Sequence, residues 1–458
     1  MDHVRRRPPL PPLPPLPPLP RRLRAGIVAV ALTLVAAVAA TVVLTRRDVA
    51  PPRPDNSPIF AGGESVDTRL QQVYAQAPLG APSAPGADQW SQFGADAAHS
   101  FASPSAGGHV LYGRVAWFAS LGGPVLSAPA VDHEARGAHG PHGARSPDGD
   151  AVVYVGGSDG FLRALDARTG RLSWRVGLGD SLTDSSPAVG GGRVYVGGFG
   201  TLTLAFDATT GRPLWQADNE RPPTAPPTYF RGLVLVPSDG NFLSCYDAAT
   251  GRLYWRFQSE DALPDFWPTT GAAAATGRTA YVALGASAEF MAIDLVTGLK
   301  RWEYSVRERF SGAPALTDGA VYVATVPGHI FCLDAADGTL RWEAALPGGV
   351  GEGTRASPMV AGGRLFLGGD DGRLYAFSAR TGRRLWTFRT GAPVLSVPIV
   401  AASALYLPGG DGLLYCLDAA SGRERWTLRL GEMRAAPALL DGTLYVGPRA
   451  AGGLYAVT

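Results

Sequence analysis

Two hydrophobic rhythms divide this chain. From Ala25 to Thr45 run 21 residues without a charge, enough, as a helix, to cross a hydrocarbon layer of roughly 30 Å. From Pro129 onward, apolar residues come in short runs punctuated by glycine, aspartate and proline. Each unit reads alike: a strand opened by proline, a strand such as Val153-Tyr154-Val155-Gly156, a Gly/Asp turn, and a strand ending in Leu-Asp. That aspartate begins Asp-Ala-x-Thr-Gly-x-x-x-Trp. The tryptophans closing the units are Trp117, Trp174, Trp215, Trp255, Trp302, Trp342, Trp386 and Trp426, and five of the seven intervals are 40 to 44 residues. A period near 40 built from four short strands predicts the blades of a β-propeller.

Within each unit the signals are local. Asp166 is placed to accept hydrogen bonds from the turn amides that follow, Gly170 supplies a positive φ, and Trp174 opens the outer strand. The set recurs through the units ending at Trp215, Trp255, Trp302, Trp342 and Trp426; at Trp386, Ser378 replaces the aspartate. Strict periodicity assigns the tryptophans to packing between blades. Two residues before the aspartate position stand Ala164, Ala205, Cys245, Ala292, Cys332, Ala376, Cys416 and Ala456. Eight positions, always Ala or Cys, predict eight blades and a crowded site, with the three cysteines as buried free thiols in separate blades.

The last unit runs out after its third strand at Thr458, whereas Trp117 sits in an outer strand with no blade before it. Residues 113–119 are therefore expected to supply the fourth strand of blade eight. That pairing would remove both open edges.

The chain before the repeats reads differently. Residues 1–24 are a Pro/Arg-rich tail whose Pro8–Pro20 tract favours polyproline II. Residues 25–45 are read as an uncleaved transmembrane anchor, residues 46–88 as a Pro/Ala/Gly-rich linker, and 89–458 as the propeller. Six arginines precede the anchor and Arg46, Arg47 and Arg53 follow it, which predicts a single-pass plasma (inner) membrane protein, N-terminus cytoplasmic and propeller extracytoplasmic. Through Asp55 there are nine arginines against three acids, leaving 32 basic and 36 acidic residues beyond it. The propeller thus carries no basic footprint for nucleic acid.

The repeats resemble the pyrroloquinoline-quinone (PQQ)-like propeller repeat shared by PQQ-dependent alcohol dehydrogenases and BamB-type outer-membrane assembly lipoproteins. The resemblance covers about residues 90–458, and Trp90, Phe93, Gly94, Asp96 and His99 are similar to the lead-in that precedes such propellers. It implies an all-β, eight-bladed propeller of four-stranded antiparallel blades, here preceded by one transmembrane helix. For the dehydrogenases it implies PQQ, calcium held by acidic ligands, and a vicinal disulfide. This chain has no adjacent cysteines, so no cofactor is expected, and PQQ with calcium is the alternative. For the assembly factors it implies a lipidated cysteine near the start, whereas the first cysteine here is Cys245.

Other motifs carry little chemistry. Gly156 to Gly160 matches G-x-S-x-G but falls in a strand-to-strand turn, not a strand-to-helix elbow. His133, His139 and His142 lie in a Gly/Pro-rich insertion, read as a loop. Gly348 to Arg355 is read as a flexible blade connection. Phe266 and Trp267 lie off the repeat in an expanded connection before blade four. With Arg355 and Arg434, near the starts of blades six and eight, they are the candidate partner surface, since irregular loops are where such scaffolds place binding groups. No catalytic or metal-binding residue is assigned. The expected function is a non-enzymatic scaffold binding another envelope protein or peptide; the alternatives are a PQQ-dependent oxidoreductase of alcohols or sugars and an extracytoplasmic sensor.

Overall fold

The computed structural model describes residues 102–103, 112–132, 151–178, 185–197, 200–259, 271–284, 289–317, 319–347, 353–449 and 452–458. All regular structure among them is β-strand. The chain divides after Asp55, and every described residue belongs to the second unit. The expected anchor (25–45), tail and linker lie outside the described residues, as do Phe266, Trp267 and the insertion histidines.

Eight sheets follow one another around a ring. Blade one is built from Ala130–Asp132, Val152–Gly156, Phe161–Asp166 and Leu172–Gly177, paired antiparallel in that order from the innermost strand outward. Blades two to seven repeat the order and end in outer strands at Pro213–Asp218, Leu253–Gln258, Lys300–Ser305, Leu340–Ala345, Arg384–Arg389 and Glu424–Arg429. Blade eight takes three strands from Ala438–Leu440, Thr443–Val446 and Gly453–Val457, and its fourth from Val115–Ser120. Trp117 stands opposite Ala456, and Arg114 and Thr458 exchange two backbone hydrogen bonds of 2.8–2.9 Å. The expected closure is the one observed.

One departure is a fifth strand. Ala102–Ser103 pairs parallel to the innermost strand of blade seven, Ala102 opposite Val400 and Ser103 opposite Ala401. Two residues are too few to leave a periodic signal in the sequence.

The meander of each blade fixes two ends of the ring. The first-to-second and third-to-fourth turns face one end, here the lower. The second-to-third turns and blade-to-blade connections face the other, the upper.

Packing explains the repeat residue by residue. In every blade the small residue of the third strand lies opposite the tryptophan of the fourth: Ala164 with Trp174, Cys245 with Trp255, Ala456 with Trp117. On its other side lies the second-strand position held by Tyr154, Leu235 or Tyr445. A larger side chain between two such bulky neighbours would overpack the sheet. The same register carries a bulge one residue later in each blade.

Each tryptophan then clasps the next blade. Trp117 Nε1 donates to Ala167 O at 3.0 Å, and Tyr445 Oη, from the same blade, donates to that oxygen at 3.1 Å. Trp174 and Tyr154 converge likewise on Ala208 O, and Trp215 and Tyr195 on Ala248 O. The turn glycine of the receiving blade lies flat on the indole: a Cβ on Gly170 would stand 2.6 Å from Trp117, and its φ of +70° also excludes most side chains. This contact recurs seven more times and ends with Gly113 on Trp426, joining blades seven and eight. The three thiols are free and buried; burial pushes Cys332 and Cys416 up to about 11 and Cys245 well up also, so they stay protonated.

Candidate functional site

The lower end is built from repeated turns. Asp207 Oδ1 accepts from Thr210 N (2.8 Å) and Thr210 Oγ1 (2.7 Å), and Asp247 and Asp418 do the same with Thr250 and Ser421. Asp418 also accepts from Arg425 (2.6 Å), and chiefly for that reason its carboxyl is held down at about 2. Asp207 and Asp247 are raised by burial, but the turn hydrogen bonds outweigh this and hold both below the usual value.

The upper end is irregular. Arg355 enters blade six with its side chain 67% exposed, and its Nε lies 3.2 Å from Asp370 Oδ2. Asp370 Oδ1 is buried without a hydrogen-bond partner. Arg434 enters blade eight, 2.7 Å from Glu432 Oε1 and 49% exposed. Both candidate arginines therefore sit on the same end of the ring, each beside one acid and open to solvent. Buried hydroxyls without partners gather at this end too, on Thr224, Ser238 and Ser311. Such atoms cost free energy unless water or a ligand satisfies them.

The remaining upper-end groups are mostly tied to each other. Asp159 is paired with Arg163, whose hydrogen bond is the main cause of its lowered pKa. Asp371 and Asp411 accept from Tyr375 (2.5 Å) and Tyr415 (2.6 Å). Buried Arg256 reaches Ser244 Oγ (2.9 Å), Asp218 O (3.1 Å) and Glu220 (2.5 Å). Glu308 Oε2 lies 2.7 Å from both His329 Nδ1 and Thr325 Oγ1. Sequence reading missed this last group because Glu308, in the connection from blade four, and His329, opening the third strand of blade five, are 21 residues apart; the signal available was a tyrosine, Tyr304, at an outer-strand position where other blades often carry aliphatic residues.

Several motif readings meet their structure here. Gly156–Gly160 is a hairpin turn between two strands, with Gly160 N donating to Gly157 O at 3.1 Å. Of the glycine-rich connection, 348–352 lie outside the described residues. Gly353 is locked against Val326, whose carbonyl a Cβ would meet at 1.6 Å, and the Thr354 amide already donates to that carbonyl at 3.0 Å. That amide is not available to an anion. Among the described residues no three His, Cys, Asp or Glu side chains converge as metal ligands.

Comparison with known proteins agrees with this architecture. Segments spanning 94–197, 158–312, 305–402 and 391–458 match a PQQ-repeat family model described as outer membrane protein assembly factor BamB. The assembly factor BamB of Xanthomonas campestris is 32% identical over a region covering 22% of this chain and 38% of that protein. The chain spans roughly a quarter to two fifths of the first curated relatives it matches. The crystal structure of BamB from Moraxella catarrhalis superposes with a TM-score of 0.56 at 18% identity, covering 67% of this chain and 90% of that one. Quinohemoprotein alcohol dehydrogenase from Comamonas testosteroni superposes at 0.63 and 18% identity, covering 85% and 84%. These two share the fold. With family matches running from residue 94 to 458, this chain belongs to the PQQ-like β-propeller family of the outer membrane protein assembly factor BamB.

Proposed function

We propose that the protein is a non-enzymatic scaffold of the cell envelope, held outside a membrane by residues 25–45, that binds another envelope protein through the upper end of its ring. The observation that carries this reading is the contrast between ends. The lower turns are repetitive, whereas the upper end exposes Arg355 and Arg434 and, among the described residues, carries the unpartnered buried oxygens of Thr224, Ser238, Ser311 and Asp370, against two unpartnered guanidinium nitrogens, of Arg193 and Arg364, at the lower end. Relatives named as outer membrane assembly factors support a role in assembling envelope proteins. The anchor and its orientation rest on the uncharged 21-residue stretch and the arginines around it.

The alternative is a quinoprotein, in which a calcium-held quinone would need oxygen ligands from carboxylates, amides or carbonyls. The test is crosslinking in intact cells followed by capture, comparing wild type with Arg355→Glu/Arg434→Glu. Loss of a specific envelope protein in the double variant supports the reading. An unchanged capture profile, or tight stoichiometric PQQ binding that requires calcium, refutes it.

A further inference from the structure

At the upper outer rim, where the fourth strand of blade four meets the third and fourth strands of blade five, lies an open cleft of about 640 Å³. Its floor is aromatic: Tyr304 from blade four and Phe331 from blade five have centroids 5.5 Å apart at 55°. Glu343, one strand outward and directly opposite Phe331, lines the cleft and makes no ion pair among the described residues. The Tyr304 hydroxyl makes no hydrogen bond among them either. Burial, then the nearby Glu343 charge, raises its pKa. Glu308 closes one side as a carboxylate: burial raises its pKa, but hydrogen bonds from His329 and Thr325 outweigh this and hold it low.

Other junctions lack this combination. At the equivalent positions only blades six and seven also bring two aromatics together, Phe388 and Tyr415, and there the phenol is bound to Asp411. Among the described residues, the four-five junction alone pairs an aromatic floor with a carboxylate, Glu343, that makes no ion pair. Aromatic faces and a free carboxylate attract organic cations.

We propose that this cleft binds an alkylammonium group, as carried by a lysine side chain or a free diamine, seated on Tyr304 and Phe331 with Glu343 as its counter-ion. Glu308 adds negative potential while remaining tied to His329. Arg307, exposed at the rim and without an ion pair among the described residues, is a like charge at the entrance. The site stands apart from the scaffold reading, because a free diamine fills it as well as a partner's lysine does.

Titration calorimetry on the purified full chain tests it, using cadaverine and Nα-acetyl-lysine N-methylamide as probes and Nα-acetyl-norleucine N-methylamide as the uncharged control. Saturable binding of the amines and none of the control is expected. E343Q and Y304A should each weaken binding about tenfold, while R307Q leaves it unchanged or tightens it. All three residues are exposed or half-buried, and unchanged melting temperatures will show that the variants fold. Tighter binding of the lysine derivative identifies a peptide source, and tighter binding of cadaverine a free amine. No saturation, undiminished binding in E343Q, or weaker binding in R307Q, which would mean a zwitterion site, overturns the proposal.

Discussion

The two ends of this ring obey different rules although the same blades build both. At the lower end blades one, two, three and seven share one solution, an aspartate bound by the amide and hydroxyl three residues on, and every junction sets a glycine against the neighbouring indole. At the upper end solutions recur only in pairs of blades: Ser127 and Ser396 bond to Gly156 O and Pro408 O, Ala128 N and Ala313 N donate to Ser186 and Ser357 of the following blade, and Asp371 and Asp411 accept from Tyr375 and Tyr415. Repetition marks the end that holds the ring together. Variation marks the end free to acquire specific contacts, because its residues are released from the clasp.

The largest effect should come from breaking the ring itself. Deleting Val115–Ser120 leaves the Gly453–Val457 edge unpaired and Gly170 without its indole; calorimetry should show loss of the single cooperative transition, with aggregation on heating. Next, the ends can be compared with one substitution. Gly211→Val at the lower end would put Cβ 2.7 Å from Trp174 at a φ of +69°, and should cost about 3 kcal/mol, seen as a lower melting temperature. Gly200→Val at the upper end has a similar φ of +68° but nothing within 4 Å, so only the backbone cost of about 1 kcal/mol remains. Equal losses at both sites would remove the distinction between the ends.

Acid should also act on the lower end. Asp207, Asp247, Asp294, Asp334 and Asp418 are all held below the usual carboxylate value, Asp418 at about 2. Their ionised forms stabilise the fold above about pH 4, and that contribution is lost as pH falls toward 2. Melting temperatures measured from pH 7 downward should therefore drop most steeply below pH 4, less so in Asp418→Asn. The smallest stability effect is expected for Arg434→Ala, which removes one exposed ion pair with Glu432; thermal unfolding should place it within about 0.5 kcal/mol of wild type.

The same contrast sets what could be read before the structure was known. Blade count, the tryptophan clasp, the crowded Ala/Cys row and the closing strand were all legible, because eight copies of one pattern average out local noise. Even Ser378, which lacks the carboxylate, keeps its turn: Gly382 N still donates to Ser378 O at 2.8 Å. The upper end resisted for the opposite reason. Arg355 and Arg434 were noticed as charges in irregular segments, but their acids, Asp370 and Glu432, follow no spacing rule. Tyr304, Phe331 and Glu343 meet only because two blades lie side by side. Parallel pairing of Ala102–Ser103 in blade seven is a tertiary event that two residues cannot announce.

Blade eight has a kinetic consequence. Val115 must find Val457, and Tyr445 must find the carbonyl of Ala167, so the partners come from opposite ends of the propeller's own sequence. Local hairpins in blades one to seven can form as the chain appears. The ring, however, stays open until the third strand of blade eight has been made, since closure joins residues far apart in the propeller's sequence and carries a large loop-closure cost. A stalled or clipped chain would thus present unpaired strand edges, with Trp117 and Trp426 missing their clasps, which makes closure a built-in checkpoint that proteases and chaperones can read.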